Sequence, residues 1–349
     1  MDFIMNGVAH GDVADKLMAC GFNPSVLRPF LGSDGRSYMT VIKNGVASAQ
    51  PIMNATATLR YEDWKILDDV IVKVAKQRLR AVADLRAAGN SYTIPNGMGK
   101  TVLQTETQSD IDAATVSMDG LVAGPNDRPV FELTNLPLPI ISKDFSFSAR
   151  QLEASRSGGS PLDTSTAELA ARRVAEMAEQ LLIGVASSYT YGGGTLYGYT
   201  NFPSRITRTI TAPTAVGWTG GTLIDEILAM RQDAYDAYHY GPFMLYNSPA
   251  WDRYLDADLK AASDRTLRER INAIEGFSSM KTLDYLTNYD IVMIQMTSDV
   301  AREIIGMDIT SLQWDSNGGL LKNFKVMAIL VPQLRADQNG NTGIVHGSV

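Results

Sequence analysis

IISKDFSFSARQLEASRSGGSPLDTSTAELAARRVAEMAEQLLIG, residues 140–184, is the stretch on which the reading of this chain turns. Apolar and polar residues alternate from Ile141 to Ser148, the period of a strand with one buried face. Gly158, Gly159 and Pro161 break the pattern and mark a loop. A helix follows. Ser165 and Glu168 have the spacing of a capping box, in which the hydroxyl accepts a backbone N–H three residues on and the carboxylate reaches back. Ala170, Val174, Met177, Leu181 and Val185 fall on one stripe, with Arg172, Arg173, Glu176 and Glu179 off it, so the helix is expected to bury one side. Gly184 weakens its last turns. Gly192, Gly193 and Gly194 then form a flexible loop. A phosphate cradle would need a following Gly-Lys-Ser/Thr and a strand-to-helix setting, and neither is present.

Upstream, residues 90–145 carry much turn punctuation and little core. Asn96-Gly97 and Asp119-Gly120 mark tight turns, and alternation predicts a strand near Lys100 to Thr105. So long a stretch is unusual in a compact domain, and a lone hairpin is marginally stable in water, so it is expected to lie on a neighbour. Residues 61–88 read as one long helix through Trp64, Leu67, Ile71, Val74 and Val82, with Glu62 and Asp63 at its start and Gly89 at its end. Its basic residues Lys73, Lys76, Arg78, Arg80 and Arg86 read as a solvated face rather than a nucleic-acid patch. Residues 1–60 read as an extended arm with short strands.

Downstream, 205–217 alternates threonine with isoleucine as an edge strand would. Residues 221–240 form an amphipathic helix with Leu223, Ile227, Met230 and Tyr238 near one face. Phe243 to Tyr246 reads as a buried strand, Ser248 and Pro249 as the cap and first residue of a short helix, and 264–275 as a charged helix. Strands are expected at 290–296, 303–307 and 324–331. The sum is mixed α+β, with two helix–strand substructures flanking a long protrusion.

The chain has 349 residues, 38 acidic against 31 basic, and a formal charge of −7. That length calls for more than one substructure, and no basic block able to grip a phosphate backbone stands out. The single cysteine, Cys20, excludes an internal disulfide and fits a reducing cytoplasm. The start lacks the features of a secretory signal, and no run reaches membrane-spanning length. His10, His239 and His346 are far apart in sequence and match no zinc spacing. Ser248 is not in a nucleophile elbow. Asp68-Asp69 reads as a surface pair, and Asp315, Asn317 and Gly318 read as a turn rather than a calcium loop. The 15 methionines look like core filler. No catalytic, cofactor-binding or metal-ligating residue is expected, and no enzyme.

The order of segments (arm, helix, protrusion closing on LPLPIISKDFSFSARQLEAS, capped helix STAELAARRVAEMAEQLLIG, then GGGTLYGYTNFP) resembles the major capsid proteins of tailed phages with the Hong Kong 97-type fold, and the related encapsulin shells. GPFMLYNSPAWDRYL looks like the strand and helix of that family's axial domain, and LLKNFKVMAILVPQ like its closing strand. The resemblance implies an N-terminal arm at 1–60, an N-terminal helix of a peripheral domain at 61–89 and an extended loop at 90–145. It further implies a peripheral domain with a spine helix at 146–205, an axial domain at 206–320 and a peripheral return strand at 321–349. The implied function is self-assembly, through pentamers and hexamers, into an icosahedral shell around double-stranded DNA that it confines without sequence-specific contact. The implied setting is a virion assembled in a host cytoplasm, without a membrane, with scaffold, portal and cementing proteins as further partners. The alternative is an encapsulin-like nanocompartment around an enzyme cargo. Some relatives join subunits through a lysine–asparagine bond, for which Lys100 and Asn339 or Asn341 have the residue types; a solvated lysine is the plainer reading.

Overall fold

The structure is a computed structural model and describes residues 4–5, 8–9, 30–34, 36–43, 46–51, 66–67, 69–74, 79–108, 116, 118, 128, 130–151, 165–186, 188–258, 265–317 and 320–349. The expectations for Cys20, His10, Glu62, Asp63, Trp64, the 119–120 turn and the 158–161 loop lie outside the described residues. The chain divides into two compact units. One comprises 1–101, 138–186 and 302–332; the other comprises 102–137, 187–301 and 333–349.

Near the start, β1 (Ile4–Met5) and β2 (Val8–Ala9) form a small antiparallel pair. Strands β3 (Phe30–Leu31), β4 (Ser37–Lys43) and β5 (Val46–Pro51) form an antiparallel meander in that order. Asp34 ties its first turn by accepting hydrogen bonds from the Tyr38 hydroxyl (2.7 Å) and the Arg36 N–H (3.1 Å).

The long helix expected over 61–88 is interrupted. Residues 66–67 and 69–74 are helical, Leu79 and Arg80 are not, and α1 (Ala81–Ala87) begins afresh. Burial of Leu79 and a tertiary acceptor explain the break. The Glu179 carboxylate takes the Ala81 N–H at 2.7 Å and the Val82 N–H at 3.4 Å, replacing the preceding turn. Gly89 ends α1 at φ 77°, with its N–H on the Arg86 carbonyl and the Asn90 N–H on Leu85, a Schellman motif that favours glycine.

Strand β6 (Ser91–Thr93) follows, then the long pair β7 (Val102–Gln108) and β8 (Phe131–Pro137), then β9 (Ile141–Ser148), bounded as the alternation predicts. Helix α2 runs from Ser165 to Ile183. Its buried stripe is the expected one only in part: Ala170 and Val174 are buried as expected, and Glu176 and Glu179, expected off the stripe, are buried too. Ala167, Ala170, Ala171, Val174, Ala175, Ala178 and Leu182 face inward, Leu181 is half-buried, and Met177 and Val185 are exposed. Small residues let the helix press closely on the sheet, so size, which simple periodicity ignores, chose the face. In the first unit, α2 lies over a sheet ordered β6-β16-β17-β9, with β16 (Ala301–Ser316) and β17 (Leu321–Leu334) as its long central strands. Phe145, opposite Phe324 in register, stacks on it at 5.2 Å, and Phe147 meets both edge-on at 5.7 Å. Strand β16 outruns the expected 303–307 because Asp308, Thr310 and Ser311 break the apolar pattern yet are buried in place.

The second unit begins with β10 (Thr190–Tyr191) and β11 (Gly194–Thr195), a hairpin turning on Gly192 and Gly193, both at positive φ. Next come β12 (Ile206–Thr209), α3 (Gly220–Asp236), β13 (Phe243–Asn247), α4 (Asp252–Leu255), α5 (Leu267–Asn272), β14 (Phe277–Thr282), β15 (Ile291–Gln295) and, near the end, β18 (Ile344–Ser348). Its sheet is ordered β12-β18-β15-β13-β14. Leu223, Ile227 and Met230 of α3 share a core with Leu245, Met293, Val345 and Trp251. Tyr238 lies beyond α3 and is 75% exposed, not on its buried face. Ser248 precedes the turn at Pro249–Trp251 but caps nothing; its hydroxyl donates to the Asn288 carbonyl at 2.5 Å.

The compact units divide the chain differently from the expected domains. Residues 187–205 fall in the second unit rather than with 146–186, 302–320 fall in the first rather than with 206–301, and 321–349 is not a single return. It ends β17 at Leu334, turns through Asp337 and Asn341 (2.6 Å), and adds β18 to the other sheet. Strands β14 and β18 are short and were not anticipated.

A close backbone crossing fixes part of the first unit: a Cβ on Gly97 would stand 2.4 Å from the Gly306 carbonyl oxygen of β16. Gly97→Ala should therefore cost about 1–3 kcal/mol. Chemical denaturation measures it, and an unchanged midpoint would show that the crossing is loose.

Candidate assembly surface

Strands β7 and β8 pair antiparallel over seven residues each, from Val102↔Pro137 to Gln108↔Phe131. At the root the ribbon is fastened. Leu136 and Pro137 are buried, the Asn135 side-chain amide donates to the Gly192 carbonyl at 2.9 Å, and the Gln333 amide donates to the Thr105 hydroxyl at 3.3 Å. A Cβ on Gly194 would stand 2.0 Å from the Asn135 carbonyl oxygen, so the glycine-rich loop is a seat for the ribbon. Beyond the root, among the described residues, the ribbon exposes apolar side chains. Directly paired residues share a face, so Phe131 and Leu133 lie on one face with Gln108 and Glu106, their partners. Phe131 is 57% exposed and Leu133 60% exposed, while Glu106 and Gln108 are also exposed.

The outer face of α2 carries a matching pattern. Leu169, Arg173 and Met177 recur at four-residue intervals and all are exposed. Arg173 is held by Glu176 at 3.0 Å and leaves much of its side chain in solvent.

Beneath this helix the first unit holds buried charge. Arg86 makes a two-pronged ion pair with Glu303 (2.6 and 2.9 Å) and reaches Asp308 at 3.1 Å. Burial raises the Glu303 carboxyl above its usual range, partly offset by Arg86. Burial works against the Arg86 charge, but the two carboxylates more than offset it and hold the guanidinium above its ordinary value. Glu179, 2% exposed, is pushed up to about 7 by burial, against the backbone N–H groups it accepts from and with the Asp84 charge.

The residue types most often catalytic have structural surroundings. His239 Nδ1 lies 3.1 Å from the Gln295 side-chain oxygen. His346 Nδ1 accepts from Arg205 at 3.4 Å, and its other ring nitrogen is 3.8 Å from Asp290. Asp315 pairs with Lys322 at 2.6 Å, across the β16–β17 hairpin. Among the described residues no three His, Cys, Asp or Glu side chains gather to hold a metal, and no helix is long and apolar enough to cross a membrane. Ser248 and His346 both meet Asp290, the first by donating its backbone N–H to the Asp290 carbonyl (3.2 Å) and the second through the 3.8 Å ring contact. The ribbon face and the α2 stripe were missed by the sequence reading. The first had a signal, the alternation of Phe131 and Leu133, but Arg86 and Glu303 stand 217 residues apart and had none.

A family model described as "Family of unknown function (DUF6260)" matches residues 54–347. A curated relative, the type 1 encapsulin shell protein EncA of Myxococcus xanthus, is 26% identical over 200 residues, 56% of this chain and 63% of the relative; the match spans less than two thirds of that protein. Among solved structures, the virus-like particle from Pyrococcus furiosus aligns at TM-score 0.59 and 14% identity, over 82% of this chain and all of that one. The capsid of Myoviridae phage XM1 aligns at 0.58 and 11%, over 74% and 90%. The capsid of a native GTA particle aligns at 0.55 and 12%, over 77% and 90%. The fold is thus the α+β Hong Kong 97-type, as the segment order implied.

Replacing Arg86 by Met would strand Glu303 as an uncompensated buried acid. The expected cost is about 3–5 kcal/mol, read by denaturant titration at neutral pH; a loss below about 1 kcal/mol would mean that the triad is effectively solvated.

Proposed function

The chain belongs to DUF6260, a family whose description names no activity, and from that premise and the fold we propose that it is a shell protein, the major capsid subunit of a tailed-phage-like particle enclosing double-stranded DNA. The observation that carries this reading is the ribbon face. Phe131 and Leu133 are exposed on an element fastened at its root, and a second copy of the chain is the partner that a shell supplies. The outer stripe of α2 suits it. Alternate residues on a strand stand about 6.6 Å apart and helix residues four apart about 6 Å, so Phe131 and Leu133 match one step of the stripe, Met177 and the stem of Arg173. Glu106 then meets Arg173, an ion pair at an apolar contact. Repetition of one such contact in a closed assembly lets weak individual interfaces hold. Pentamers and hexamers of the chain are the expected units, assembled in a host cytoplasm into a virion. DNA would be confined by a surface without a basic block, and scaffold, portal and cementing proteins are further proposed partners.

An encapsulin-like shell around an enzyme cargo is the second reading, favoured by the similarity to the Myxococcus xanthus shell protein. Expressed alone, an encapsulin-like chain should give closed cages of one size. A capsid chain without its scaffold should give particles of mixed size or open sheets. Electron microscopy of the particles separates the two.

The interface is tested by exchange of charge. Glu106→Arg and Arg173→Glu should each shift sedimentation from particles to small oligomers, and the double variant should recover particles. If both single variants assemble as the parent does, or if the double variant recovers nothing, the proposed contact is wrong.

A further inference from the structure

Helix α1 has no N-terminal cap of its own. Arg80, at the cap position, makes no side-chain capping bond, and the first turn is held instead by Glu179, 98 residues away on α2. This carboxylate is 2% exposed and accepts from two successive N–H groups of α1. A buried carboxyl that docks one helix onto another has a property that an apolar contact lacks: its ionisation and the docking are linked. We propose that Glu179 is a pH-sensitive latch, so that α1 is held most firmly to α2 in acid and is loosened as the solution passes to mildly alkaline pH. This inference concerns the subunit and stands whether or not the chain builds shells.

The sign follows from burial. In the docked state burial raises the carboxyl from 4.5 to about 7. When α1 swings away, Glu179 meets water and returns toward its ordinary value. The docked state therefore binds the proton more tightly. Its advantage is complete below about pH 4.5, shrinks as pH rises, and is exhausted once pH passes about 7. The neighbouring charges do not cancel the effect. On α1, Asp84 adds repulsion to the ionised form, while the Arg80 backbone N–H opposes it. Arg86 is committed to Glu303 and Asp308. On α2, the turn before, Glu176 is engaged by Arg172 and Arg173. On β16, Glu303 lines the same crevice as Val82 and Ala178 and is itself paired. The loosened part would be the first turn of α1 and its junction with the non-helical Leu79–Arg80 link, the place where the helical path is already broken.

Hydrogen exchange of the full chain tests this, read on the amides of Ala81 to Leu85 and corrected for the intrinsic pH dependence of exchange. Protection should fall on the order of 10- to 100-fold between pH 5 and pH 8, while amides of α3 in the other unit stay level. Glu179→Gln keeps an acceptor of the same shape without a titrating proton and should abolish the difference. Asp84→Asn leaves Glu179 in place and should move the midpoint of the change to lower pH; it serves if the Gln variant fails to fold. Level protection in the unaltered protein across that range overturns the proposal. So does an unaltered pH response in Glu179→Gln, or an unmoved midpoint in Asp84→Asn.

Discussion

Strands β7 and β8 satisfy one another's backbone groups across their inner edges, but two strands cannot bury both of their faces. That geometric shortfall governs how this molecule is understood. A sheet gains stability when one face packs on a second layer. The root of the ribbon obtains this from the glycine-rich loop, where Gly194 leaves room for the Asn135 backbone and Asn135 bonds Gly192. The distal face leaves Phe131 and Leu133 exposed among the described residues. The first unit and the remainder of the second, by contrast, each bury a core of their own. One is a sheet under an alanine-faced helix with a paired charge cluster; the other is a five-stranded sheet closed by α3 around Trp251. An element with an exposed apolar face is what an assembling protein presents to its copies.

The internal design of the first unit bears on this. The alanine stripe of α2 lets it sit close to the sheet, which turns its larger residues, Leu169 and Met177, outward together with Arg173. The outward turn of Met177, which simple periodicity assigned to the core, is therefore what completes the outer stripe. Below it, Glu179 and Glu303 are buried acids reached from α1 by backbone N–H groups and by Arg86. Both acids sit near the contact between α1 and α2, so ionisation, packing and the position of the broken helix are tied together in one small region.

Local signals carried far in the sequence. The alternation at 141–148 predicted β9 to the residue, Gly89 marked the end of α1, and the segment order implied the fold that the structure has. What failed was non-local. The break at Leu79–Arg80 depends on an acceptor 98 residues away, and the length of β16 depends on Arg86 sheltering Asp308. Strand β18 is five residues long and makes sense only beside β12 and β15. The candidate surface was half legible. A long turn-rich excursion was visible as one that needs a neighbour, but which of its residues would face that neighbour depended on the β7–β8 register, set by pairing across a 22-residue gap in the strand sequence. No sequence pattern announced the complementary stripe on α2, because periodicity assigned Met177 to the core.

The central claim is that this chain closes its unfinished ribbon against copies of itself. Sedimentation velocity of the purified full-length chain, with electron microscopy of the fastest fraction, addresses that claim most directly. The account predicts large, closed or sheet-like particles built from this one chain. A stable monomer or dimer, at every protein and salt concentration tried, would contradict it.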